Sequence, residues 1–178
     1  YLPGLSTSQG EGHRDAVVFR GVRSTADFFV DGMRDDVQYF RPLYNLEQVE
    51  VLKGPNALLF GRGGAGGVLN RVTKKGVLDG DFLHIGASVD TFGAGSVTLD
   101  RNFSLTQNAA LRFNTFAESL DNHRDFFDGD RFGVNPALKV RVSNKTVLDL
   151  SYEYLDHERF IDRGIVTGSN GKPVKAFD

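Results

Sequence analysis

Residues 49–70 read VEVLKGPNALLFGRGGAGGVLN, and the run continues as RVTKKG from Arg71. Val49, Val51 and Leu52 favour extended structure until Gly54 and Pro55 interrupt them. Proline lacks an amide donor but its fixed φ suits the first turn of a helix, so a strand ending at Gly54 and a single helical turn over residues 56–60 are predicted. Gly61, Gly63, Gly64, Gly66 and Gly67 then free the backbone for positive φ and close packing, before a second β-like run, GVLNRVTKK, starts at Gly67. The role read for these glycines is architectural.

Working outward towards the N-terminus, AVVFRGVR from Ala16, DFFVDGMR from Asp27 and QVEVLKG from Gln48 are further short β-like runs split by turns. Gly32 after Asp31 is a hairpin signal between residues 28–30 and the residues after the turn. Asn45 with Gln48 three residues on resembles a capping box, which predicts a short helix there. Together these runs predict an α+β domain, a small mixed sheet with short helices, over residues 1–76.

Beyond the glycines at 76 and 80 the texture changes to strict alternation, the period of a strand with two unlike faces. Leu83, Ile85, Ala87 and Val89 alternate with His84, Gly86, Ser88 and Asp90, and Val97 and Leu99 with Ser96, Thr98 and Asp100. Leu111, Phe113, Thr115 and Ala117 oppose Arg112, Asn114 and Glu118, with Phe116 breaking the pattern on the polar side. Leu138, Val140 and Val142 oppose Lys139, Arg141 and Ser143; Leu148, Leu150, Tyr152 and Tyr154 oppose Asp149, Ser151 and Glu153. Residues 77–178 therefore read as about five antiparallel strands. Their links are predicted to be tight at 91–93 and 144–145, short at 103–108, and long and charged at 119–133 and from 157 onward. Short turns on one side and long loops on the other suit a transmembrane β-barrel, although the first outward link is short. A soluble antiparallel sandwich produces the same alternation.

Residues 49–70, preceded in order by FRGVR from Phe19 and FFVDGMRDD from Phe28, resemble the plug domain of TonB-dependent outer-membrane siderophore receptors. The resemblance covers residues 16–75, with Gly21, Asp31, Gly32, Gly54, Pro55, Gly61, Gly66 and Gly67 as its structural motif positions. It implies the later part of a plug followed by the first strands of an incomplete transmembrane β-barrel, since plugged transporters have about 22 strands. It also implies a Gram-negative cell outer-membrane location, a ferric siderophore as substrate, outer-membrane lipid around the strands, and energy supplied by the TonB complex. No candidate for the coupling segment is found in residues 1–15, so coupling is expected through a segment that this piece does not show, and the piece alone is not expected to transport. The same resemblance leaves open a receptor for cobalamin or carbohydrate.

Ferric siderophores are often anionic, with aromatic or hydroxamate groups, so cations and stacking rings are the useful partners. On that basis Arg34, Tyr39, Phe40, Arg41 and Tyr44, in the segment MRDDVQYFRPLY from Met33, are candidate substrate-binding residues, with Arg23 a weaker one. The alternative is that they pair with Asp35, Asp36 or wall carboxylates. Phe126 and Phe127 either close over ligand or fix their own loop. Iron is expected to arrive chelated, so no cofactor and no protein metal ligands are expected.

Other chemistries fare worse. Net charge is −2, with 21 basic and 23 acidic residues in 178, which offers no positive field for nucleic acid. Cysteine is absent. No apolar run approaches the roughly 18–20 residues of a membrane-spanning helix. Residues 61–66, GRGGAG, match the dinucleotide fingerprint formally, with Asp81 about twenty residues on, but the basic, β-branched VLNRVTKKG that comes next does not open a helix. His13, His84, His123 and His157 are scattered, and Asp121, Asp125, Asp128 and Asp130 do not follow a calcium-loop order. Neither a nucleophile elbow nor a placed carboxylate pair is present, so no enzyme is expected.

Overall fold

The computed structural model describes residues 3–8, 14–24, 27–53, 60, 66–124, 127–161 and 166–174. Among these, extended structure dominates and no α-helix occurs, so no helix crosses a membrane; strands can. β1 (Leu5–Ser8), β2 (Ala16–Phe19) and β3 (Val22–Ser24) form a three-stranded antiparallel sheet. Arg20 and Gly21 join β2 to β3 with φ of 47° and 87°, the doubly left-handed turn whose twist matches that of paired strands. The same device recurs at Asp31 and Gly32, φ 48° and 81°, between β4 (Phe28–Val30) and β5 (Met33–Arg34).

Behind that second hairpin, β4 pairs in parallel with β7 (Gly67–Thr73), and β7 pairs antiparallel with β6 (Leu46–Lys53), giving a mixed sheet in the order β5-β4-β7-β6. Asp31 ties the turn down: its carboxylate accepts from Thr73 N at 3.0 Å and Thr73 Oγ1 at 2.5 Å, while Gly32 N donates to Asn70 Oδ1 at 3.0 Å. Val17, Phe19 and Phe28 are buried together, with Leu5, Val51 and Leu69 against them; Phe29 and Val68 form a second cluster with Leu52 and Phe60. A Cβ at Gly66 would stand 2.5 Å from Phe19 Cβ, so the close approach that the sequence assigned to this glycine is what lets the Phe19 ring into the core.

Two sequence expectations meet the structure differently. The helix expected after Asn45 is absent, because residue 46 already begins β6. Asn45 does not cap: its Nδ2 donates across 3.0 Å to Glu153 Oε1, and its carbonyl accepts from Lys74 N. The turn expected over residues 56–60 lies outside the described residues apart from Phe60, as do Gly54, Pro55 and Gly61.

The rest is one open antiparallel sheet. β8 (Phe82–Val89), β9 (Gly95–Thr106), β10 (Ala109–Asp121), β11 (Asp128–Ser143) and β12 (Thr146–Ser151) lie in sequence order, and β13 (Tyr154–Arg159) continues β12 along the same edge of β11. The sheet is not closed into a barrel. Its strands outrun the alternation: β10 has 13 residues and β11 has 16, so the link expected over 119–133 shrinks to 122–127, and that over 103–108 to Gln107 and Asn108. The ladder continues through Ser119↔Asp130 and Asp121↔Asp128, where the outward side chains have become polar and the hydrophobic period stops before the pairing does.

Burial in this sheet is inverted relative to a water-soluble protein. Asp100, Asn102, Arg112, Asn114 and Asn135 face inward and are buried, whereas outward-facing Ile85, Val97, Leu150 and Tyr154 are 50–67% exposed. Phe116, the residue that broke the alternation, is buried on the inward side. Water would penalise the aliphatic face, and lipid would not. The connection from the small domain runs beneath this inner face: Asn102 Nδ2 donates to Val77 O at 2.8 Å, Asn102 Oδ1 accepts from Val77 N at 3.0 Å, and Gly80 N donates to Ser104 Oγ at 3.1 Å.

Ile85→Arg separates the two environments. In lipid the substitution costs about 2–4 kcal/mol of folding free energy, against about 0.5 kcal/mol or less on a watery surface. Denaturant titration of the intact protein folded into phospholipid vesicles measures it, and a loss of about 0.5 kcal/mol or less contradicts a lipid-facing sheet.

Candidate functional site

Pairing sets inward residues of adjacent strands side by side in rungs. From the 122–127 loop downward these are Glu118, Arg131 and His157; Phe116, Gly133 and Leu155; Asp100, Asn114 and Asn135; and Asn102, Arg112, Ala137 and Ser151. The segment 39–47 of the small domain descends this ladder. Phe40 lies at the top rung, where the Arg131 and Arg159 guanidinium carbons are 5.1 and 5.4 Å from its ring centroid and the His157 ring is edge-on at 6.3 Å.

One rung lower, Tyr44 packs on Phe116 with centroids 4.6 Å apart, and its hydroxyl donates to Glu153 Oε1 at 3.2 Å. A Cβ at Gly133 would lie 2.6 Å from the Phe116 ring and 3.1 Å from the Tyr44 hydroxyl, so glycine makes that seat possible. Burial and the Glu153 carboxylate both push the Tyr44 phenol up, which keeps it a donor.

At the bottom the two units are joined by charge. Arg112 binds Asp100 through two parallel bonds of 2.8 and 2.7 Å and reaches Glu47 Oε2 at 3.0 Å and the Lys75 carbonyl at 3.3 Å. Lys74 Nζ meets Asp100 Oδ2 at 3.0 Å. Asp100 is thus shared by one cation from each unit, a paired and hydrogen-bonded arrangement that offsets the desolvation of burying charge.

The candidate ligand residues divide by what their side chains already hold. Arg41 is turned into its own loop: its guanidinium donates to Val37 O at 2.6 Å, Asp35 O at 3.0 Å, Asp35 Oδ2 at 3.1 Å and the Asp15 carboxylate, and it lies 3.9 Å over the Phe28 ring. Tyr39 is part of the same network, donating to Asp35 Oδ2 at 3.0 Å and accepting from Arg71 Nη2 at 2.8 Å, with burial raising its phenol pKa. Arg23 bonds Ser8 on β1, and Arg34 is exposed with its guanidinium 5.2 Å from the Phe29 ring. Phe40 alone among the six is gathered with the top rung. Arg131, His157 and Arg159, which complete that cluster, carried no signal in the sequence, because about ninety residues or more separate them from Phe40. Phe127 is held by the Arg159 guanidinium at 5.4 Å, while Phe126 lies outside the described residues. Among the described residues no three His, Asp or Glu side chains converge as a metal-ligand set.

Comparison with known proteins gives this geometry relatives. Residues 1–68 match the family model described as TonB-dependent Receptor Plug Domain. The chain is 37% identical over 168 residues to Probable TonB-dependent receptor BfrD of Bordetella pertussis, an alignment covering 92% of this chain and 22% of that protein. It is 31% identical over 154 residues to Catecholate siderophore receptor Fiu of Escherichia coli K12, covering 86% and 20%. The crystal structure of the siderophore receptor PiuA from Acinetobacter baumannii superposes with a TM-score of 0.79 at 28% identity, over 88% of this chain and 23% of that one. This chain therefore spans about a fifth of the length of the curated relatives it matches.

Replacing Arg41 by methionine tests the loop network. Methionine keeps the aliphatic stem but takes the guanidinium off the Phe28 ring and leaves Asp15 without its cation, while Asp35 keeps Arg71, so a loss of about 1–3 kcal/mol is expected. Limited proteolysis of the intact protein, followed by mass mapping, should show new cleavage within residues 35–41. An unchanged digest would mean that Arg41 does not hold the loop.

Proposed function

The chain belongs to the TonB-dependent receptors through the plug domain matched at residues 1–68, and from that premise we propose that the whole protein is an outer-membrane receptor of a Gram-negative bacterium that binds a ferric siderophore outside the cell and imports it with energy drawn from TonB. Transport, not catalysis, is the work of this family. Residues 1–76 are read as the plug portion and residues 77–178 as the start of the barrel.

The observation that carries this reading is the inverted sheet. Its aliphatic face points away from the protein, and its polar face is spent on the small domain through Arg112, Asp100, Tyr44 and Glu153. A sandwich would close its aliphatic face on a second sheet, and a passive pore would leave its polar face to water. A wall that binds a folded domain along its inner rungs is suited to a channel kept shut until the domain shifts. The siderophore class follows from relatives named as siderophore receptors, PiuA and Fiu among them.

Of the candidate substrate-binding residues, Phe40 and Arg34 are read as ligand-facing. Tyr39 and Arg41 preorganise the loop that presents them, Tyr44 seats the segment on the wall, and Arg23 is kept as a peripheral contact. Iron arrives within its chelate, as ligand.

Deletion of the gene in its host, with iron supplied only as single purified ferric siderophores, should abolish radiolabelled iron uptake for one class and spare the others, and loss of TonB should reproduce the defect. Unchanged uptake of every ferric chelate, with a defect for cobalamin or an oligosaccharide instead, would replace the siderophore reading by that substrate.

A further inference from the structure

We infer that Arg101, on the outer face of the wall, binds the phosphate of a membrane glycerophospholipid. The inference rests on the receptor reading above, because that face has to lie in lipid. Alternation fixes the side: Arg101 belongs to the outward set of β9 with Val97, Leu99, Phe103 and Leu105, whereas Asp100 and Asn102 on either side of it turn inward and are buried. Directly across the two ladders stand Leu83 on β8 and Phe113 on β10. One cation is thus ringed by apolar side chains, in a band where Leu83, Val97 and Leu105 are 49–56% exposed. Elsewhere guanidinium groups hold carboxylates, as those of Arg41, Arg71, Arg112 and Arg131 do. Among the described residues Arg101 holds none, and its guanidinium carbon lies 4.6 Å from the centroid of the Phe103 ring.

A guanidinium in hydrocarbon without an anion is costly, so a cation held in such a band calls for one. Phe103 stands two residues nearer the turn at Gln107 and Asn108, and the stack leans the Arg101 side chain towards that end of the sheet. Leu105, the last apolar residue of the outward set, is four residues on from Arg101, or ~10 Å of membrane depth on a tilted strand. A long side chain aimed along that path carries its charge most of the way to the interface. Short turns mark the periplasmic side of a barrel, so the headgroup belongs to the periplasmic leaflet. There a phosphodiester offers two oxygens to the planar fork of one guanidinium, while its acyl chains lie along Leu83, Leu99 and Phe113. The Phe103 ring holds the fork in place from below.

The test is native mass spectrometry of the purified full-length receptor released from detergent, titrated with phosphatidylglycerol or with a diacylglycerol of the same acyl chains. The wild type should retain at least one phosphatidylglycerol per chain, bound about tenfold tighter than the diacylglycerol, as one charge-assisted pair of bonds contributes. Arg101→Leu, whose side chain matches its apolar neighbours, should lose one retained phosphatidylglycerol per chain. Its diacylglycerol retention should equal that of the wild type, which reports that the fold is intact. Inorganic phosphate at the same concentration should not compete, since it brings no acyl chains. Equal retention of the two lipids by the wild type, an unchanged phosphatidylglycerol count in Arg101→Leu, or displacement by inorganic phosphate would overturn the site and leave the receptor standing. So would wild-type dimers that Arg101→Leu abolishes, since the anion would then be a carboxylate of a second copy. A folded wild type that retains neither lipid and stays monomeric without detergent would remove the site and the lipid-facing wall together.

Discussion

The guanidinium of Arg112 stands where two separately built sheets meet, and much of the molecule's organisation stems from the need to satisfy it. A wall whose aliphatic side faces outward offers little apolar surface inside beyond Phe116, on which Tyr44 packs, because its inward side carries mostly polar residues. Much of the cohesion across that side comes from directed bonds, and Arg112 supplies the densest set: two to Asp100 on its own sheet, one to Glu47 and one to the Lys75 carbonyl of the other unit. Lys74 closes the circuit on Asp100. Directed bonds are selective in distance and angle, so they fix one height for the small domain on the wall, whereas a greasy contact would tolerate sliding.

Much of the fold was legible because two periods and two turn chemistries are written in the chain. The alternation of Leu83, Ile85, Ala87 and Val89 with His84, Gly86 and Ser88 assigned the faces of β8 correctly, and Asp31–Gly32 marked a hairpin that the backbone angles bear out. What failed had local physical reasons. Strand ends were placed short because hydrophobic alternation reports only the part of a ladder whose outward side chains are apolar, and β10 and β11 continue past it. Asn45 has the composition of a helix cap, yet its amide is claimed by Glu153, a residue 108 positions away.

The site was less legible than the fold. Residue types in the 33–44 segment suggested cations and rings, but sequence does not say which way a guanidinium turns. Arg41 folds back on its own loop carbonyls, while Arg131 and Arg159 come to Phe40 from the far strands. Only pairing register, which places Arg131 opposite His157 and Glu118, brings those three onto one rung.

Asn102 Nδ2 also donates to the Gly80 carbonyl, and this clasp on residues 77 and 80 has a mechanical meaning. It makes the junction between the two units a fixed grip, since both the amide nitrogen and the carbonyl oxygen of one fully buried side chain are spent on the linker backbone. Tension drawn from the N-terminal side therefore finds no slack at residues 76–80 and is delivered to the hairpins upstream. There the antiparallel pairs β1–β2 and β2–β3 hold only four and three residue pairs, and hairpins pulled from one end open one rung after another, each at low force. The grip and the zipper lie at opposite ends of one small domain, so a load entering from the N-terminal side meets the short hairpins before it meets the mooring at Asn102.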